Sequence, residues 1–173
     1  MCLALADSLG DVLVATITTP ERIIITDLAG HQEHPTMFDF TIPADWGTLQ
    51  GYEMAALGYR ADGDERYLDI ALYYADKNEA EADGQEIVKR IQSYKVGTYM
   101  GGTQQHEPPM FTDWWQAGEP VVTEYGEGAV LKISCKSISE LRWASMFMGG
   151  ADSPFRDLLF LAIDPSLYIG QNE

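Results

Sequence analysis

Positive charge is what this chain has least of. Eleven Lys and Arg stand against 27 Asp and Glu in 173 residues, for a formal net charge of −16 and a pI near 4.3. The cations are scattered, with no run longer than Lys89-Arg90. Binding to a phosphate backbone requires a basic stripe, so nucleic acid is excluded as a partner, and an anionic lipid surface is disfavoured on the same ground.

Cysteine is scarcer still. Cys2 and Cys135 are the whole complement, too few for a disulfide framework and without the CxxC spacing of a zinc or redox site. Along Val130 to Lys136, alternation puts Leu131, Ile133 and Cys135 on one face, which makes Cys135 a small buried hydrophobe. No charged segment followed by a long apolar one precedes Cys2, so no signal peptide is legible, and no apolar run is long enough for membrane insertion. The acidic, Lys-poor composition leans the reading toward an extracytoplasmic setting.

Catalytic signatures are absent as well. No G-x-S-x-G occurs, and Gly126-Glu127-Gly128 and Gly149-Gly150 lack what dinucleotide and phosphate loops require. His31-Gln32-Glu33-His34 offers two imidazoles and a carboxylate, with His106-Glu107 to complete a zinc site if the loops meet. The spacing departs from H-E-x-x-H, and solvated loop histidines account for the same residues. Asp62, Asp64, Glu65 and Asp69 supply hard oxygen ligands for calcium, but Arg66 stands where a ligand is needed and Gly63 comes too early. The chain is therefore read without a cofactor, zinc and calcium being the alternatives.

What is present is globular: 46% of residues are hydrophobic and 22% charged, in one α+β domain over residues 1–173. Asn78-Glu79-Ala80-Glu81 reads as a capping box, and Ala80, Gly84, Ile87, Val88, Ile91 and Tyr94 form the stripe of a helix running to about Lys95. Upstream, Tyr52–Arg60 and Arg66–Asp76 flank the acidic turn Ala61 to Glu65, a hairpin whose second strand turns Leu68, Ile70, Leu72 and Tyr74 toward that helix. The order recurs as Val121–Tyr125, Gly126-Glu127-Gly128 and Ala129–Lys136, followed by a capping box at Ser137 and Glu140 for a short helix through Met148. Asp157–Ile163 reads as a late buried strand. The expected fold is thus an antiparallel sheet from two hairpins plus that strand, with helices on one face and a duplicated ββα unit over residues 51–173. Residues 1–50 are less defined: Cys2, Leu5, Leu9, Val12 and Leu13 favour a helix through about Ala15, although Val12 to Thr18 also fits a strand.

Leu28–Gln50 and Gly97–Pro120 read as long loops, and Trp46, Tyr99, Phe111, Trp114 and Trp115 fall within them. They are the candidate ligand-binding residues, although Trp114 and Trp115 folding down over the sheet explains their positions equally. The functional expectation is a non-catalytic binding or interaction domain for a protein or small molecule. The alternative is a hydrolase, metal-assisted through His31, His34 and His106 or carboxylate-based through Asp113, Glu119 and Glu124. The apolar opening Met1–Ala6 adds a second copy of the chain to the expected partners.

Overall fold

A computed structural model of the chain describes residues 1–20, 47–93, 111–138 and 162. In chain order the elements are α1 (Cys2–Leu9), β1 (Val14–Thr18), β2 (Met54–Asp62), β3 (Glu65–Tyr74), α2 (Lys77–Ser93), a single 3-10 turn (Phe111–Asp113), β4 (Trp115–Ala117), β5 (Val121–Tyr125) and β6 (Gly128–Ser137). The strands form one six-stranded antiparallel sheet in the order β1-β2-β3-β6, with β4 and β5 sharing the outer edge of β6. The α+β architecture and both expected hairpins are present.

Each hairpin closes through a two-residue loop beginning with glycine. Asp62 faces Glu65 across Gly63-Asp64, and Tyr125 faces Gly128 across Gly126-Glu127. Gly63 has φ 57° and Gly126 φ 65°, while no described non-glycine residue has positive φ. Positive φ at the first loop position alone is the type II′ pattern, whose twist matches that of the flanking strands.

Alternation sorts the sheet into two faces. Ala55, Leu57, Leu68, Ile70, Leu72, Tyr74, Ala129, Leu131, Ile133 and Cys135 pack with Ala80, Ile87 and Ile91 of α2 to make the main core. This is the helix-covered face expected from the stripe of β3. Gly84 sets how closely α2 approaches, since a Cβ there would stand 2.9 Å from Leu131 Cδ1 and 3.0 Å from Pro120 Cβ. The helix cap lies two residues before the expected one. Asp76 Oδ1 accepts the amides of Asn78 at 2.6 Å and Glu79 at 3.4 Å, and Asn78 is already within the first turn.

α1 occupies the reverse face, where Ala4, Leu5 and Leu9 pack on Ala56, Ala71 and Val130. Small residues in β2 and β3 permit the approach: a Cβ on Gly58 would lie 3.0 Å from Leu9 Cδ2 of the helix and 2.7 Å from Val12 Cγ1 just beyond it. The helix stops at Leu9 and not near Ala15, because Gly10, at φ 66°, donates its amide back to Ala6 and turns the chain. Val14 to Thr18 then follow the β-branched preference for extended backbone and pair with β2.

The expected Gly97–Pro120 loop is corrected at its end. Trp115–Ala117 is a strand on β6, and β5 resumes the same edge at Val121, opposite Lys132. Gly118, Glu119 and Pro120 stand opposite Ile133 and Ser134, so one extra residue is accommodated as a bulge where Pro120 has no amide to donate. The expected helix through Met148 lies outside the described residues, as does the late strand apart from Ala162, which is buried in the main core.

Candidate functional site

The candidate residues divide sharply. His31, His34, His106, Trp46 and Tyr99 lie outside the described residues. Phe111 opens the 3-10 turn, Trp114 packs half-buried against the main core, and Trp115 is inside it at 4% exposure. The acids proposed for catalysis are spread over separate elements: Asp113 in the 3-10 turn, Glu119 in the bulge and Glu124 on β5, where it meets Lys77 of α2 at 3.0 Å. The acidic turn of the first hairpin is likewise divided. Glu65 is engaged by Lys136 and Tyr67, and Asp69 is drawn under the sheet surface by Arg60 and Lys132. Among the described residues no three His, Cys, Asp or Glu side chains are grouped to hold a metal ion.

Two polar assemblies missed by the sequence reading organise the fold. On α2, Asp83 is buried, yet its carboxylate accepts the amides of Gln50 at 2.9 Å and Gly51 at 3.1 Å and the hydroxyl of Tyr74 at 3.0 Å. One helical turn on, Glu86 Oε1 accepts the Gly47 amide at 2.6 Å, and Arg90, ion-paired with Glu86 at 3.3 Å, donates to the Gly47 carbonyl. Spacing of three and four residues puts Asp83, Glu86 and Arg90 on one side of the helix, where they clamp the backbone that leads into β2. Burial and the Asp83 carboxylate push the Tyr74 phenol far above its ordinary pKa.

The second assembly lies on the reverse face. Asp69, at 0% exposure, is held by Arg60 Nε at 3.1 Å and Lys132 Nζ at 3.3 Å. Lys132 also donates to the Ser8 carbonyl at 2.7 Å, so it compensates the negative end of α1 and ties that helix to the sheet. Arg60 lies 4.1 Å from the Tyr67 ring centroid. The Lys136 ammonium and the Tyr67 hydroxyl hold the Glu65 carboxyl below its ordinary range, and Glu65 in turn raises both Tyr67 and Lys136. Asp69 is thus a fully buried carboxylate held between two cations, an anchor of this face.

A third feature lies at the margin of the sheet. β1 forms one margin of the sheet, and among the described residues nothing pairs with its outer edge. Its sequence, Val-Ala-Thr-Ile-Thr, contains neither charge nor proline, the devices that commonly blunt an edge. Ile17 is 43% exposed, and Leu13, just before the strand, is 69% exposed. A bulge marks the beginning of the strand, where Leu13 donates to Tyr59 O at 2.7 Å although Val14 is the residue registered with Tyr59. The β-branched run in Val12 to Thr18 signals the strand; its place at the margin is a tertiary fact that no local pattern carries.

No family model, no curated protein and no solved structure matches this chain. No described helix is long and apolar enough to cross a membrane.

Proposed function

We propose that this domain is a non-catalytic binding module that takes an extended segment of a partner protein along the outer edge of β1. The observation that carries the reading is an uncharged, proline-free edge strand that holds exposed Ile17 and follows exposed Leu13. An extended peptide added there gains main-chain hydrogen bonds from the edge and apolar contact from alternate side chains. The rest of the described sheet is arranged as a support. β2, behind β1, is buried through Ala55 to Tyr59 and is itself paired along its full length with β3. Glu65, Asp69, Asp83, Glu86 and Glu124 are each engaged in contacts that anchor the fold, which supports a scaffold role for them.

The test is fluorescence anisotropy of the full chain titrated against a labelled peptide of alternating Val and Thr. Saturable binding is expected, weakened about tenfold or more by Ile17→Lys, which places a charge where a strand would dock. Because Ile17 lies at the margin, that variant is expected to keep the melting temperature of the parent. Equal affinity of parent and variant contradicts the reading.

A further inference from the structure

We infer that the segment docking on β1 is cationic, with Lys or Arg flanking its extended core; this rests on the edge-recognition reading above. Two acids bracket the strand. Asp11 is exposed just before it, and Glu53 is exposed at the other end, two residues ahead of Ala55, the register partner of Thr18. No Lys or Arg occurs between Met1 and Pro20. The nearest cation on β2, Arg60, is turned to the reverse face and held by Asp69 at 3.1 Å and Asp62 at 3.8 Å.

The wider charge distribution acts in the same direction. Lys77, Lys89, Arg90, Lys132 and Lys136 are each ion-paired with a carboxylate, so the excess of acid is left to set the surface potential. A field of that sign steers cationic segments toward the protein and slows anionic ones. It also selects among occupants of the edge. A second copy of this chain would bring another −16 charges against the first, whereas a basic segment meets Asp11 and Glu53 with opposite sign.

The experiment compares two peptides sharing one alternating Val and Thr core, one flanked by Lys and the other by Glu, titrated against the full chain at low and at physiological salt. The Lys-flanked peptide is expected to bind about tenfold or more tightly at low salt, with the advantage shrinking as salt screens the exposed acids. The double variant Asp11→Asn, Glu53→Gln is expected to narrow the difference between the peptides. Equal affinity for both overturns the charge inference while leaving edge recognition standing, and failure of both to bind overturns the two together. Light scattering supplies a further arm: a concentration-dependent dimer abolished by Ile17→Lys would give the edge to a second copy and overturn the cationic partner.

Discussion

The hydroxyl of Tyr74, at the end of β3, donates to Asp83 Oδ2 on α2 at 3.0 Å inside the main core. The same carboxylate accepts the amides of Gln50 and Gly51, so one buried acid joins the sheet, the helix and the backbone that leads into β2. Asp83→Ala would strand those donors and is expected to cost about 3 kcal/mol, each unsatisfied buried group contributing on the order of 1 kcal/mol or more. Asp83→Asn, which keeps an acceptor oxygen, is expected to lose less. Urea denaturation midpoints of the two variants check the order, and equal losses would argue that the carboxylate's charge and not its hydrogen bonds holds the joint.

Gly128 allows β6 to begin against β3. A Cβ there would stand 2.5 Å from the Tyr74 carbonyl and 2.6 Å from Tyr73 Cζ, and the carbonyl is backbone that cannot rotate away. Gly128→Ala is expected to destabilise by about 3 kcal/mol, at the upper end of overpacking costs. Gly126→Ala makes a useful comparison, since nothing stands within 4 Å of a Cβ there and only the φ of 65° is unfavourable. The thermal melt of G128A should fall well below that of G126A; the reverse order would show the hairpin loop, not the packing, to be limiting.

The reverse face predicts a coupled pair. Lys132→Met removes a donor from Asp69 and from the Ser8 carbonyl, and is expected to cost about 2 kcal/mol because Arg60 remains beside the buried acid. Combined with Asp69→Asn, the loss should be smaller than the sum of the single losses, since both changes remove the same ion pair. A double-mutant cycle by chemical denaturation measures the coupling, and strict additivity would deny that the two residues act together.

Buried proton donors predict alkaline sensitivity. Burial pushes the Cys135 thiol from 9.0 up to about 12 and the Tyr59 phenol from 10.0 up to about 12, and Tyr74 is raised further. In each case the unfolded chain loses its proton first, so the stability these groups contribute is complete below pH 9 and drains away as pH rises toward 12. Melting temperature should therefore decline above pH 9. A thiol reagent at neutral pH should label exposed Cys2 alone in the folded protein and both cysteines after denaturation. Rapid labelling of Cys135 in the native state would contradict its placement in the core.

Much of this fold was legible because it follows short-range rules. Glycine at Gly63 and Gly126 announces the hairpin loops, and the alternation Leu68, Ile70, Leu72, Tyr74 announces the face that α2 covers. The reading slipped where two local preferences competed. Asn78 is a good cap in isolation, but Asp76 starts the helix two residues earlier by accepting the amides of Asn78 and Glu79, and near β1 the helical spacing through Leu13 yields to Gly10 and the β-branched residues beyond it. β4 was hidden because a three-residue strand next to Pro120 resembles a loop until β6 is there to pair it. The anchoring roles of Asp69 and Asp83 were beyond local pattern altogether, since their partners lie on other elements. The recognition edge depends on sheet order in the same way.

Amide hydrogen exchange over Val14–Thr18 in the full chain tests the edge most directly, because it reads whether the outward backbone of β1 is available. Exchange of the β1 amides that do not bond β2 should be fast in the free protein, against slow exchange in β3, and should slow on addition of the Lys-flanked peptide. Protection of every β1 amide to the level of β3 in the free chain, unchanged by the peptide, would show the edge already covered and contradict the account.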